Sequence, residues 1–366
     1  MSRRALHLWP LLVLLTGLLY GAVSSRASEV QPSESAEKSV AQVPSAHIAL
    51  LLPSGSDAFS KAAAAVRAGF SEAAEKQSGP GLAIKLYPVG DDPQTVITAY
   101  REALAAGARI VVGPLTRNGV TALAGQADEI TVPTLALNVP MGNTPYPPKL
   151  YSLSLYVEAE ARQIAQVALR DGHRKAITMT ADTPLDRRMR DAFIAAFENG
   201  GGTHVADVPY ATDSASLERA RKAASEAELV FLALDADRAR SVRPQLPGVH
   251  AYASSQLNPG LNASAALIDL NDVIFVDMPW MLQPEHAAVI AYQREPPQPR
   301  DDLERLRALG IDAFRVSQEL LAGNRDFDID GVTGHLTLGA DNQIRRALLI
   351  ALIAAGKVTI LGETPP

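Results

Sequence analysis

The chain has 366 residues, of which 47% are hydrophobic and 20% charged; this is enough for about two globular domains of roughly 150 residues each. It contains no cysteine, which excludes disulfide scaffolds, thiolate zinc sites, iron–sulfur clusters and cysteine nucleophiles. A formal charge of −6 and an aromatic content of 5% argue against nucleic-acid binding, which requires clustered cations and favours aromatic stacking.

The N-terminus predicts export. Arg3 and Arg4 form a positive end, Leu11–Val23 is an apolar stretch of thirteen residues, and a small-x-small pattern ends at Ala27. Thirteen helical residues span only ~20 Å, less than the ~30 Å hydrocarbon core of a bilayer. We therefore interpret residues 1–27 as a cleaved secretory signal peptide, with an uncleaved anchor as the alternative. The predicted location is the periplasm, with retention at the inner membrane if the signal is not cleaved.

Residues 28–45 are rich in Ser, Glu, Pro and Gln and have almost no large apolar side chain. Such a composition buries too little surface to offset the entropy of ordering, so it predicts a flexible tether. We expect the folded part of the chain to begin near residue 46.

From His47 onward, short apolar runs alternate with Ala-rich amphipathic stretches. The runs continue without polar alternation, which is typical of strands covered on both faces in a parallel sheet. The predicted strands are His47–Pro53, Leu82–Val89, Arg109–Gly113, Pro133–Leu137, Ala176–Thr180, Thr203–Val208, Leu229–Leu234, Val249–Ala253 and Asp272–Val276. The predicted helices are 58–76, 93–106, 117–127, 157–171, 184–198, 214–226 and 236–243.

Alternating strands and helices predict an open α/β sheet with right-handed crossovers. The runs are more numerous than one sheet of ordinary size holds, which favours two α/β domains. The break between them is expected near residues 142–148, where prolines cluster and hydrophobic periodicity stops.

Ligands of open α/β sheets bind beyond the carboxyl ends of the strands. The polar residues in those loops are therefore the candidates for a ligand cleft: Ser54, Ser56, Thr116, Asn118, Asn138, Asp182, Asp235 and Ser255. The alternative for each is a helix N-cap, because Ser, Thr, Asp and Asn are the preferred capping residues.

Signatures of catalysis and of cofactor binding are missing from the sequence. It has no P-loop, no dinucleotide-binding glycine motif after a strand and no nucleophile elbow, and its seven histidines never occur at metal-ligand spacing. Asp182 and Asp235 could form a catalytic carboxylate pair across the cleft, but nothing in their spacing requires one. We predict a protein that is not an enzyme, with no catalytic residues, no cofactor and no resident metal.

One acidic segment imitates a calcium loop. Asp326, Asp328, Asp330 and Gly331 match the first half of an EF-hand, but Thr337 stands at the twelfth position and cannot supply the bidentate carboxylate. The residues that follow alternate like a strand. We interpret the segment as an acidic turn that leads into a hairpin.

Several motifs resemble those of a known family. V-V-G-P-L-T at 111–116, V-P-T-L-A-L-N at 132–138 and Y-S-L-S-L at 151–155 are similar to type I periplasmic binding proteins. Further stretches resemble penicillin-binding protein activators of the LpoA type: Pro279-Trp280, R-L-R-A-L-G-I-D-A-F at 305–314, G-V-T-G-H-L-T-L at 331–338, Arg345-Arg346 and A-A-G-K-V at 354–358.

The resemblance implies a two-lobed type I periplasmic binding protein-like fold, each lobe being a mainly parallel sheet flanked by helices. Lobe 1 would comprise 46–154 and 277–325, and lobe 2 would comprise 155–276 and 326–362. The implied function is to bind and activate a class A penicillin-binding protein in peptidoglycan synthesis, without catalysis. This chain is expected to depart from the family pattern in two ways. It has no lipobox cysteine, so that no lipid anchor is expected, and it lacks the N-terminal helical-repeat domain that several family members carry.

The alternative function is that of a periplasmic solute-binding protein of an ABC-type uptake system, with an amino acid, amide or muropeptide as its small-molecule ligand in the cleft. Under this hypothesis Thr116, Asn138, Asp182 and Asp235 are the candidate contacts. Leu137-Asn138 stands where amino-acid binders of this fold usually place a pair of small Ala, Ser or Thr residues, which weakens the hypothesis.

Overall fold

A computed structural model describes four segments of the chain, at residues 44–142, 144–260, 264–292 and 302–364. The predicted signal at 1–27, and the predicted tether except its last two residues, lie outside them. Ser45 donates its backbone N–H to the carbonyl of Ala106 at 3.1 Å. The last predicted tether residue is thus bound to the folded part of the protein.

The described residues form fifteen strands, most of them at the predicted apolar runs. They are β1 (His47–Leu52), β2 (Ala83–Pro88), β3 (Ala108–Val112), β4 (Thr134–Ala136), β5 (Leu150–Ser152), β6 (Lys175–Thr180), β7 (Thr203–Pro209), β8 (Leu229–Ala233), β9 (His250–Ala253), β10 (Val273–Asp277), β11 (Asp328–Asp330), β12 (His335–Leu338), β13 (Ile344–Ala347), β14 (Leu349–Ala354) and β15 (Lys357–Glu363). The strands β5, β11, β13, β14 and β15 have no counterpart among the predicted strands.

These strands make three sheets. The first is entirely parallel, in the order β2-β1-β3-β4-β5. The second has the order β15-β14-β10-β9-β8-β6-β7 and is parallel except at β14 and β15. The third is a small antiparallel sheet, β11-β12-β13, in which Asp330 lies opposite His335. The predicted fold class is confirmed. The hairpin expected at the acidic segment is present, but Asp328 and Asp330 lie in its first strand, β11, and the turn falls at residues 331–334.

Eleven α-helices within the described residues cover the sheets. They are α1 (Ser60–Glu75), α2 (Pro93–Ala105), α3 (Arg117–Ala124), α4 (Val157–Arg170), α5 (Pro184–Asn199), α6 (Ser214–Ser225), α7 (Ala236–Val242), α8 (Ser264–Asp269), α9 (Pro279–Leu282), α10 (Ala287–Ile290) and α11 (Asp302–Ala322). The continuous apolar runs are explained by this cover, since all six residues of β1 are buried.

Helix α11 packs against α1, far away in the sequence, at a close crossing. A Cβ atom on Gly310 would lie 2.1 Å from the carbonyl oxygen of Val66, and one on Gly69 would lie 1.9 Å from that of Arg307. Next to this crossing, the rings of Phe70 and Phe314 meet edge to face at 5.3 Å. Two glycines therefore let the helix backbones touch.

The chain passes between the two large sheets more than once. The first sheet with α1–α3 and α11 is here called the first lobe, and the second sheet with α4–α8 the second lobe. The chain enters the second lobe at residues 153–156, leaves it after β10, and returns to it at β14. The lobe boundaries proposed from the sequence stay a prediction.

Candidate functional site

A cleft of about 280 Å³ lies where the two lobes meet. Its walls come from the loops after β3 and β4, the starts of α4 and α5, and the first half of α11. The lining residues are Leu115, Arg117, Leu137, Asn138, Leu155, Tyr156, Val157, Glu158, Leu185, Arg188, Leu306 and Leu309. The apolar side chains of this lining would lose water contact when a ligand binds, and the charged side chains determine which charge the ligand can carry.

Three charged side chains of this cleft pair with one another. Arg117, at the start of α3 in the first lobe, donates to Oε1 of Glu158 at 2.8 Å. Arg188, on α5 in the second lobe, donates to the same oxygen at 3.2 Å. Glu158 lies in the first turn of α4, where the helix dipole also favours a carboxylate. The carboxylate between the two arginines of the cleft is thus supplied by the protein itself.

Of the eight candidate ligand residues, Asn138 lines the cleft, where its Nδ2 donates to the carbonyl of Leu115 at 3.0 Å and its Oδ1 accepts from the N–H of Val139 at 3.0 Å. Thr116 caps α3, since its Oγ1 accepts from the N–H of Gly119. Asn118 is exposed on the first turn of that helix.

The two serines after β1 lie elsewhere. Ser54 is exposed and lines a separate groove along α1. Ser56 is buried, and its Oγ accepts from the N–H of Phe59 at 3.2 Å just before α1 begins. Ser56 therefore orders the turn before the helix.

The candidates of the second lobe are also engaged locally. Asp182 is exposed and forms an ion pair with Arg187. Asp235 caps α7 and pairs with Arg238 at 2.9 Å. Ser255 is buried, and its backbone rather than its hydroxyl makes the contacts described below. Ligand contact by the eight residues stays a prediction, and helix capping accounts for Thr116 and Asp235.

A network of buried charges next to the cleft was not predicted from the sequence. Asp277, at the end of β10, is completely buried and binds Arg305 of α11 through both carboxylate oxygens, one of them at 2.8 Å. Asn258 donates to the same carboxylate at 2.8 Å, and the N–H of Met278 does so at 2.8 Å. The point where the chain leaves the second lobe is thereby fixed to a helix of the first lobe.

The network continues through Glu160 on α4 and Arg346 on β13. Glu160 accepts from the N–H of Ser255 at 3.1 Å, and its other oxygen lies 3.9 Å from Arg346. Arg346 donates to the carbonyls of Ser154 at 2.9 Å and Thr333 at 2.9 Å. Burial raises the pKa of the Glu160 carboxyl and lowers the pKa of the Arg346 guanidinium, more than their mutual attraction opposes.

A third buried contact joins two of the motifs that carry the family resemblance. The carboxylate of Asp312, on α11, accepts from the N–H groups of Val332 and Thr333 and from the hydroxyl of Thr333, at 3.1, 2.7 and 2.7 Å. Burial raises the pKa of Asp312, although these hydrogen bonds lower it in part. The motif at 305–314 and the motif at 331–338 therefore form one structural unit.

The sequence carried a signal for this network, but not its physical meaning. Arg305, Asp312, Thr333 and Arg346 all lie in stretches that resemble the activator family. Their partners Asp277 and Glu160 stand in ordinary strand and helix contexts. Only the folded chain shows that these residues meet.

Two carboxylates of the acidic segment at 326–330 contact histidine side chains. Asp328 lies 2.8 Å from His335, and Asp330 lies 3.4 Å from His286. Within the segments that the structure describes, no group of three or more His, Asp or Glu side chains is placed to hold a metal ion.

Comparison with known proteins identifies relatives of this chain. The family model described as "LppC putative lipoprotein" matches residues 27–223 and 211–352. The penicillin-binding protein activator LpoA of Photobacterium profundum is 24% identical over 356 residues, 87% of this chain and 57% of the relative. LpoA of Pasteurella multocida is 26% identical, over 82% of this chain and 52% of the relative. The chain thus spans little more than half the length of these relatives.

Solved structures share the fold. The C-domain of LpoA from Haemophilus influenzae, described as a regulator of PBP1A, has a TM-score of 0.72 and 20% identity, over 87% of this chain and 100% of the domain. A protein from Chromobacterium violaceum described as a putative branched-chain amino acid ABC transporter has a TM-score of 0.71 and 37% identity, over 84% of this chain and 100% of its own. The two-lobed periplasmic binding protein-like fold is confirmed, and the extent of the family match shows that this chain belongs to the LppC family.

Proposed function

We propose that this protein is a non-catalytic periplasmic regulator that binds and activates a class A penicillin-binding protein in peptidoglycan synthesis. The support is its family membership together with the names of its relatives, which are called penicillin-binding protein activators. The matched region corresponds to the C-domain of the Haemophilus influenzae protein. A regulator needs a defined surface and no reactive centre.

One structural observation favours this function over solute capture: both arginines of the cleft already contact a carboxylate of the protein. Glu158 occupies the position between Arg117 and Arg188, so a carboxylate ligand would have to displace a carboxylate of the protein. The ion pair between Arg117 and Glu158 also joins the two lobes, which favours one fixed arrangement over hinge closure on a ligand. Asp182 and Asp235, the candidates for a catalytic carboxylate pair, each form an ion pair with an arginine.

The proposed location is the periplasm, reached through the predicted signal at 1–27. Among the described helices, none is both long and apolar enough to cross a bilayer. The absence of cysteine leaves no side chain for lipid attachment through a thioether, so we propose that the chain acts without such an anchor.

The experiment is a pull-down of the exported chain with the bifunctional class A synthase of the same cell, followed by a glycan polymerisation assay. We expect a complex and a faster polymerisation rate, and the heat-denatured chain as control should give neither. Failure to form a complex, together with an unchanged rate, would overturn the proposal.

A second function has a specific observation in its favour, namely the 37% identity to the Chromobacterium violaceum protein described as an amino acid ABC transporter. A solute-binding protein would be stabilised by its ligand, by about 2.7 kcal/mol at a hundredfold excess over Kd. A thermal-shift screen of amino acids, amides and muropeptides tests this. Stabilisation that is lost on substitution of Asn138 would favour transport, whereas the regulator hypothesis predicts none.

A further inference from the structure

A second concavity, here called the hinge pocket, lies beside the segment that joins β5 to α4. It has a volume of about 280 Å³ and is walled by α4 on one side and β13 on the other. Its polar lining includes Ser154, Arg162, Gln166, Asp341, Arg345 and Arg346. Its volume is near the lower end of the range for small-molecule sites in proteins.

The hinge pocket carries an excess of positive charge. Three arginines line it, while Asp341 is the one acidic residue of its described lining. Asp341 lies 3.8 Å from Arg345 and accepts two hydrogen bonds from Gln343. With Glu160 behind the pocket also counted, one unit of positive charge is left, which matches a monoanion rather than a phosphate dianion.

Arg162 is the cation best placed to meet a ligand. It is exposed on α4, donates to the hydroxyl of Tyr156 at 2.9 Å and lies over that ring, 5.3 Å from its centroid. Within the described part of the chain it has no carboxylate partner. The tyrosine holds the guanidinium in place at the rim, which reduces the entropy lost when a ligand binds.

Arg346 is a second cation of the hinge pocket and lies inside its wall. Its side chain is almost fully buried, its hydrogen bonds go to uncharged carbonyls, and its nearest carboxylate is 3.9 Å away, beyond hydrogen-bond range. A buried cation with no carboxylate within hydrogen-bond range is stabilised by an additional anion nearby, because the low dielectric of the interior strengthens the attraction between the two charges. The buried Oγ of Ser154, in the same wall, has no hydrogen-bond partner.

We propose that the hinge pocket binds the carboxylate of a small acid with an adjoining amide, such as the C-terminal end of a short peptide. Arg162 and Arg345 contact the carboxylate, since a planar guanidinium matches its geometry. The exposed amide of Gln166 on α4 serves the neighbouring peptide group. The site shares Tyr156 with the cleft but not the paired charges of the cleft, and it does not depend on the proposed function.

The experiment is a calorimetric titration of the exported chain with N-acetyl-alanyl-alanine and, in parallel, with its uncharged C-terminal amide. We expect the acid to bind and the amide to bind about tenfold more weakly or not at all, since only the acid offers charge-assisted hydrogen bonds. Equal binding of the two compounds, or no binding of the acid, overturns the proposal.

Variants locate the site. Arg162→Gln and Arg345→Gln should each weaken binding of the acid by about tenfold, as for loss of one charge-assisted contact. Both side chains are exposed, so circular dichroism should show intact folding. Arg109→Gln on β3, an exposed arginine outside both the pocket and the cleft, is the control and should bind like the parent. If Arg188→Gln alone abolishes binding, the acid occupies the cleft and the hinge pocket assignment is wrong.

Discussion

The cleft and the buried network join the same two lobes with arginine–carboxylate contacts, but at different depths. In the cleft, the side chains of Arg117, Glu158 and Arg188 remain 27%, 16% and 41% exposed. In the network, Arg305 is 11% exposed and Asp277 is completely buried. Partly solvated pairs contribute little to stability and can exchange partners, whereas breaking a buried pair strands a charge in the interior. The network should therefore set stability and the cleft should set the geometry of the lobes.

The largest effect should follow from Arg305→Met. It leaves the Asp277 carboxylate buried without its counterion, so we expect a loss of about 3–5 kcal/mol in the free energy of unfolding. Urea denaturation followed by circular dichroism measures it. The control is Arg240→Met, which breaks the more exposed pair with Asp269 and should cost about 1 kcal/mol or less. An equal loss of unfolding free energy in the two variants would show that the buried pair contributes no more to stability than the exposed one.

The second-largest loss of stability is expected at the crossing of α1 with α11, the helix that carries Arg305. Gly310→Ala puts a methyl group 2.1 Å from the carbonyl of Val66 and should cost about 1–3 kcal/mol, as for overpacking elsewhere. Gly90→Ala is the control, because the nearest atom to its Cβ would be 3.8 Å away on Thr95. Denaturation midpoints of the two variants should differ clearly, and coincident midpoints would contradict the close crossing.

A pH dependence tests the charge state inside the network. Burial raises the pKa of folded Glu160 above its ordinary 4.5, so the ionised carboxyl costs stability at neutral pH and this cost disappears as the pH falls towards 4.5. Glu160→Gln does not titrate. The free energy of unfolding of Glu160→Gln, compared with that of the parent, should therefore be highest at neutral pH and should fall in mildly acidic buffer. A stability difference that is constant across this range would show that Glu160 is not perturbed.

The smallest effect on stability should come from Glu158→Gln in the cleft, at about 1 kcal/mol or less, because its partners are partly solvated. Arg117 and Arg188 then face each other without the carboxylate, so small-angle scattering should report a wider range of lobe separations. The exposed Glu285→Gln is the control. A large loss of stability with unchanged scattering would reverse the roles assigned to cleft and network.

The secondary structure was predictable where local pattern and burial agree. The run His47–Pro53 became β1 because a central parallel strand is buried on both faces. The unpredicted strands have weaker local patterns. β5 has three residues and follows a proline-rich stretch, while β14 and β15 are an apolar hairpin whose turn uses Ala355 and Gly356 at positive φ. An apolar run of that kind does not distinguish strand from helix by periodicity.

The candidate site was predictable only in part. Loop position after a strand led to Asn138, which lines the cleft. The same rule selected Thr116 and Asp235, whose side chains cap helices, because the residues that bind ligands in such loops are also the best N-caps. The cleft ion pairs arise from Glu158 and Arg188, which sit on helices and carry no local mark in the sequence.

The sequence by itself determined the export signal expectation, the alternation of strands and helices, and the family, because composition, periodicity and motif are local properties of the chain. The tertiary structure decided which charges meet. Gln163 and Arg346 form a hydrogen bond although they are 183 positions apart in the sequence. Arg307 and Glu72 form one across 235 positions. Such pairs depend on the path of the chain between the lobes, and burial then turns ordinary Asp, Glu and Arg residues into the groups that hold the junction together.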